Sequence, residues 1–283
     1  VSAMMMASAP VFAASNTVIV KGSDTQVNVV QRLAEVFMEK YPGKKVSVTG
    51  GGSGTGVAAL INNKCDIANS SRSMKDKEIS QAMDRGISPK RILIGMDGLS
   101  VIVNESNPVD ELTSAQIADI YKGSITNWSQ VGGDDQPITL YGRQPNSGTY
   151  VFFRDYIKGD YSSKMKEMNG TAQIVEAVKQ DASAIGYVGV GYLKEATGVN
   201  IVNVAPREGA EYSSPLDYEK VKTGEYPISR PLNQYVNGTI SGDARDFILF
   251  ELSSEGQKIM EEEGFYRIPE DYKTINAKNG FSM

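Results

Sequence analysis

Residues 17–62 read TVIVKGSDTQVNVVQRLAEVFMEKYPGKKVSVTGGGSGTGVAALIN. Thr17–Val20 is a β-branched run that suits a strand. Val27, Val30, Leu33, Ala34 and Phe37 then recur at helical spacing through 26–40. Residues 45–49 (KVSVT) alternate as a second strand, and Val57, Leu60 and Ile61 begin a second, shorter helix. Strand, helix, strand, glycine-rich turn and helix in this order predict βα units feeding a sheet.

The same rhythm runs outward from this stretch. Residues 65–68, 91–96 and 99–103 are strand-like, and Thr113 with Gln116 forms a capping box ahead of Ile117, Ile120 and Tyr121. A strand at 137–141, helices at 147–158 and 171–180, and strands at 184–188 and 200–204 follow. Two helices near 241–252 and 254–262 close the chain. The expectation is an α/β fold with largely parallel sheets and no internal repeat. Residues 205–231, with Pro206, Pro215, Pro227 and Pro231, break the rhythm. They read as a long connection, either a crossing between lobes or a plain surface loop.

The chain has 283 residues, enough for one large domain or two ordinary ones. A net charge of −5 argues against a general nucleic-acid or membrane-surface binder, though not against a small anion held by local donors. With no histidine there is no His-bearing triad and no His-ligated zinc. The single cysteine, Cys65, excludes an intrachain disulfide and a CxxC pair, and is expected to pack as a small buried apolar group. Residues 4–13 (MMMASAPVFA) resemble the end of an export signal, with Val11 and Ala13 at the −3 and −1 positions of a cleavage site. Residues 1–15 are therefore read as residual signal. No cysteine follows the apolar stretch, so a lipid anchor is not expected.

The strongest local motif is Thr49-Gly50-Gly51-Gly52-Ser53-Gly54-Thr55-Gly56. Glycines between a strand and a helix let backbone N–H groups approach an anion at the positive end of the helix. The run is no Walker loop, because Val57 stands where the lysine would. It fails G-x-G-x-x-G on spacing, and fails G-x-S-x-G because Thr55 replaces the last glycine. Alone it suits a flexible loop as well as an anion cradle. Gly22-Ser23-Asp24-Thr25 and Asn146-Ser147-Gly148-Thr149 repeat the chemistry at two other helix starts, where simple N-capping is the competing reading. Arg72 and Arg143 each follow a predicted strand, at the sheet edge where α/β folds place ligands. A guanidinium fork matches a tetrahedral oxyanion, and a surface salt bridge is the plainer alternative.

Together these pieces resemble the periplasmic phosphate-binding proteins of ABC importers. The resemblance adds Asp66-Ile67-Ala68-Asn69-Ser70-Ser71-Arg72, Asp119–Trp128, Ala184–Val188 and Tyr226–Leu232 to the motifs above, in matching order from about residue 17 to 260. It implies a two-lobed periplasmic binding protein fold with crossing hinge strands. The expected lobes are 16–100 with 237–283, and 104–231, with a hinge at 99–103 and 232–236. Carried over by position, the phosphate ligands would be Asp24, Thr25, Ser53, Ser71, Arg143, Ser147, Gly148 and Thr149. Arg72 is added from its place beside Ser71, to line the cleft and offset the charge of Asp24. Better-known members carry an Asp, which accepts the phosphate proton, at the position of Ser71. Here the first turn instead holds Asp24, and we infer that the acceptor has moved to the opposite wall.

The expected function is capture of inorganic phosphate, without cofactor or metal, for delivery to a membrane permease by a periplasmic monomer that binds no nucleic acid. Three alternatives stay open: another oxyanion such as sulfate or molybdate, an enzyme using Ser53 or Ser147 as nucleophile, and a surface sensor or adhesin not tied to transport. The enzyme reading lacks a histidine base, and Lys21 and Lys64 sit in no Ser-x-x-Lys arrangement.

Overall fold

The computed structural model describes residues 17–282, so the expected signal remnant at 1–15 lies outside the described residues. The first half of the chain runs β1 (Val18–Gly22), α1 (Val27–Lys40), β2 (Val46–Gly51), α2 (Ser53–Ile61), β3 (Ile67–Ser70), α3 (Asp76–Asp84), β4 (Pro89–Asn104), β5 (Glu111–Thr113), α4 (Ser114–Lys122) and β6 (Thr139–Arg143). The second half runs α5 (Gly148–Tyr156), β7 (Lys166–Met168), α6 (Thr171–Gln180), β8 (Ala184–Gly189), β9 (Val199–Ala205), α7 (Tyr218–Thr223), β10 (Ser229–Asn237), α8 (Gly242–Leu252), α9 (Ser254–Glu262) and α10 (Glu270–Lys278).

The sheet order is β2-β1-β3-β10-β4-β8-β6-β7, with β9 beside β4 and β5 beside β9. β4 belongs to both halves. Residues 89–98 pair antiparallel with β10, while residues 99–104 pair antiparallel with β8 and β9. The two strands predicted at 91–96 and 99–103 are therefore one continuous strand. Each half keeps its own core. Val20, Leu33, Phe37, Ile67, Ile92 and Phe247 pack in one, and Val101, Tyr121, Trp128, Phe153, Tyr187 and Val204 in the other. Sheets around separate cores define two lobes.

The parallel pairs expected from βα alternation are present within each lobe, as in β1/β2, β1/β3 and β6/β8. The pairings of β10 with β3 and of β4 with β10, β8 and β9 are antiparallel, so the sheets are mixed rather than largely parallel. Crossing strands cause this, because a chain that leaves a lobe and returns to it runs the other way.

Other elements differ from the sequence expectation, among them α3, β5 and β7, which it did not include. α2 begins at Ser53, not Val57, because Gly52 with φ of 93° turns the chain sharply out of β2 and frees the next residue to start a helix. The connection at 205–231 is partly ordered: Ser213 bridges to Val204, α7 follows, and Tyr226 and Ile228 are buried. A third C-terminal helix, α10, follows the two expected. Asn276 docks it, exchanging hydrogen bonds of 2.8 Å with the backbone of Leu93. The capping box forms as read: Thr113 Oγ1 accepts from Gln116 N–H, and Thr113 N–H donates to the Gln116 side chain. Cys65 is buried, and burial pushes its thiol up to about 12, so it stays protonated.

Candidate functional site

β1, β2 and β3 run parallel, so the turns that follow them open at one sheet edge. The first turn presents Ser23, Asp24 and Thr25, the second Ser53, and the third Ser71. From the other lobe the end of β6 presents Arg143, and the start of α5 presents Ser147, Gly148 and Thr149. Ser23, Thr25, Ser53, Ser71, Ser147 and Thr149 are all buried, at 2% exposure or less.

The hydroxyls meet. Ser71 Oγ lies 3.1 Å from Ser23 Oγ, 3.3 Å from Ser53 Oγ and 3.4 Å from Thr149 Oγ1. Thr149 Oγ1 lies 2.8 Å from Thr25 Oγ1 in the opposite lobe. Gly148 makes this approach feasible, since a Cβ there would fall 2.2 Å from Ser53 Oγ. Ser147 Oγ accepts the N–H groups of Thr149 and Tyr150 at 3.2 and 3.4 Å, and so caps α5. Capping uses lone pairs only, and the Ser147 O–H remains able to donate. Ser53 stands inside the first turn of α2, and its oxygen accepts from Ser71 N–H at 3.1 Å. Neither serine contacts a general base in this arrangement.

The backbones also touch across the lobes. Gly54 N–H donates to Asn146 O at 2.9 Å, and Asn146 Nδ2 donates to Gly51 O at 3.0 Å. The positive ends of α2 and α5 thus converge on one cluster of hydroxyls, where an anion's charge is favoured.

Three arginines surround the cluster, each paired with a carboxylate. Arg143, 1% exposed, donates to Asp24 Oδ2, to Thr171 Oγ1 at 2.9 Å, and to the carbonyls of Asn169 and Met168 at 2.9 and 3.2 Å. Asp24 Oδ1 accepts Gly51 N–H at 2.7 Å. Asp24 therefore does not cap α1, whose N-cap is Gln26. Its carboxylate ties the first turn to the glycine run and to the opposite lobe. Tyr187 accepts Arg143 N–H at 3.0 Å, and burial pushes its hydroxyl up to about 12, so it is neutral.

Arg72 goes elsewhere. It forms a fork with Glu78 at 2.6 and 2.8 Å and donates to Ser73 O. Burial opposes ionisation of Glu78, but the Arg72 guanidinium and Lys75 N–H outweigh it and hold the carboxyl below its usual range. The expected compensation of Asp24 by Arg72 does not form, because Glu78 at the start of α3 captures the guanidinium. Arg143 alone pairs with Asp24.

The residues missed from sequence are Arg230 and Asp97. Arg230 on β10 donates twice to Asp97 Oδ2, at 2.9 and 2.7 Å, and also to Ser71 O and Thr149 Oγ1, both at 3.1 Å. Asp97 Oδ1 accepts Val190 N–H at 2.9 Å. Burial lowers the Arg230 pKa while Asp97 opposes the change, and the Phe152 ring covers the guanidinium at 5.0 Å. The available signal was an arginine bracketed by apolar residues in Ile228-Ser229-Arg230-Pro231-Leu232, since a charge inside a buried strand needs a partner.

A family model described as the PBP superfamily domain matches residues 7–255. The phosphate-binding protein PstS of Pseudomonas aeruginosa is 31% identical over 268 residues, spanning 88% of this chain and 82% of that protein. The chain belongs to the PstS family. Solved structures agree with this placement. A putative phosphate ABC transporter substrate-binding protein from Clostridium perfringens, with bound phosphate, superposes with a TM-score of 0.81 at 31% identity, covering 90% of this chain and 100% of that one. An ABC-type phosphate transport receptor from Vibrio cholerae gives 0.71 at 27% identity, covering 89% and 100%. The two-lobed PstS architecture accounts for the shared strand β4 and for hydroxyls arriving from both sides of one cleft.

Proposed function

We propose that this chain binds inorganic hydrogen phosphate between its lobes and presents it to an ABC-type membrane permease, as an exported protein that leaves the ligand chemically unchanged. The observation that carries the reading is the meeting of buried hydroxyls and helix N-termini from both lobes. An oxyanion needs many short donors around a tetrahedron, and serine and threonine O–H groups with helix N–H groups supply them. Each nearby arginine is neutralised by its own carboxylate, so the site holds the anion by hydrogen bonds and helix dipoles rather than by net charge.

Thr25, Ser53, Ser71, Ser147 and Thr149 are the hydroxyl ligands in this reading, with the Gly148 N–H and the Arg143 guanidinium; the Thr149 N–H is taken by the Ser147 cap. Hydroxyls can donate or accept, so they do not by themselves separate hydrogen phosphate from sulfate. Asp24 supplies the distinction. A carboxylate accepts the phosphate O–H and repels an anion that has no proton to offer. The lobes are proposed to open where β4 changes sheets near 98–99 and where the chain re-enters β10, next to the segments 99–103 and 232–236. The closed form would be what the permease recognises, and a monomer leaves both lobes free for that contact.

Calorimetry with phosphate, sulfate, arsenate and molybdate tests the proposal. Phosphate should bind at micromolar concentration or below, about −8 kcal/mol or better, with sulfate far weaker. Equal binding of sulfate, or no heat with phosphate, would defeat it. No helix among the described residues is long and apolar enough to cross a membrane.

A further inference from the structure

Arg72 is left without a task in the inner cluster, yet it lines a chamber of about 590 Å³ on the cluster's outer side. Ser71 and Arg230 belong to both, so they form the partition. The chamber wall carries Arg72, Lys75, Arg91, Arg154 and Arg230 against one carboxylate, Asp155. Three of these cations are paired: Arg72 with Glu78, Arg154 with Asp155 at 3.3 Å, and Arg230 with Asp97. Lys75 and Arg91 make no ion pair among the described residues. Arg72 is 8% exposed, and its Nε–H is buried with no acceptor. The unpaired Lys75 and Arg91 leave the wall with an excess of positive charge.

We propose that this chamber is an outer anion-capture site that loads the inner cluster, with inorganic phosphate as its ligand. The proposal rests on the phosphate reading above. A chain of net charge −5 repels a dianion at long range, and a basic recess that borders the cluster through Ser71 and Arg230 offsets that field locally. The chamber acts on the approach of phosphate, not on its retention, so its signature is kinetic.

The test uses the whole protein and a triple variant, Lys75→Gln/Arg91→Gln/Arg154→Gln. Arg91 donates to Asn233 Oδ1 at 2.7 Å, and the amide that replaces its guanidinium keeps a neutral donor on that side chain. Equilibrium dialysis with radiolabelled phosphate gives Kd, rapid filtration gives koff, and their ratio gives kon. The expected result is a kon about tenfold lower, with koff within about twofold of the parent, and a parent kon that falls with ionic strength while the variant's does not. If the triple variant does not fold, Lys75→Gln/Arg154→Gln at two outward-facing positions should show a smaller loss of kon in the same direction. An unchanged kon, or a weaker Kd arising wholly from koff, overturns the capture site while phosphate binding stands. Absence of phosphate binding in the parent overturns both.

Discussion

Two aspartate–arginine pairs flank the hydroxyl cluster, and they are built differently. Arg143–Asp24 joins one lobe to the other, with Asp24 14% exposed at the rim. Arg230–Asp97 joins neighbouring strands β10 and β4 within the crossing, and its side chains are 2% and 0% exposed. The first pair exists only while the lobes are together. The second persists in either state of the proposed hinge, holding the carbonyl of Ser71. In the proposed reading the first pair serves closure and ligand selection, and the second serves the frame. A buried pair contributes little by itself, yet removing one partner strands a charge in a dry interior.

The sharpest break of this comparison is Arg230→Ala. It leaves Asp97 uncompensated and should cost about 3–5 kcal/mol of stability, read by urea unfolding. Adding Asp97→Asn to that variant should recover part of the loss, and failure to recover any would show that the pair is not the reason. Arg143→Ala should act on binding as well, weakening phosphate by about 2–5 kcal/mol in calorimetry, with a smaller fall in stability than Arg230→Ala because water reaches Asp24, although Met168 and Asn169 also lose a donor. If Arg143→Ala unfolds the protein as readily as Arg230→Ala, the division of roles collapses.

Asp24→Asn sharpens the first pair further. Phosphate should weaken about tenfold, and the ratio of phosphate to sulfate affinity should narrow, because an amide donates where a carboxylate cannot. An unchanged ratio would place selectivity elsewhere. Ser147→Ala belongs to neither pair and sets the scale of a local contact. It should cost about 1 kcal/mol of stability from the lost cap, together with a measurable loss of phosphate affinity from the lost O–H. Intact affinity would mean the hydroxyl only caps.

Much of the fold was legible because residues 17–62 obey local rules: β-branched strands, one amphipathic helix and a glycine turn. The turns at Ser23, Ser53 and Ser147 were legible for the same reason. What escaped depends on distant pairing. Arg230 meets Asp97 across 133 residues, and Asp24 meets Arg143 across 119. No spacing rule connects either pair, so from sequence a helix cap stays the competing reading for Asp24. Arg72 was misassigned to Asp24 for a local reason. Its partner Glu78 lies only six residues on, but α3 is short and mostly polar, burying Ala82 while Ile79 and Met83 stay exposed, so no helix is read there. Without the helix, the carboxylate beside Arg72 could not be placed.

The glycine run has a consequence for tolerance. A single methyl group on Gly52 would sit 2.7 Å from the carbonyl oxygen of Asn146 in the facing lobe. The seam therefore works as a go/no-go gauge, with less clearance than one carbon atom. A lobe that stops short by that much leaves the Gly54–Asn146 and Asn146–Gly51 hydrogen bonds unmade, and a lobe that arrives makes both. For the proposed closure, so narrow a margin separates made from unmade seam contacts sharply, which suits a receptor whose shape tells a transporter whether it is carrying cargo.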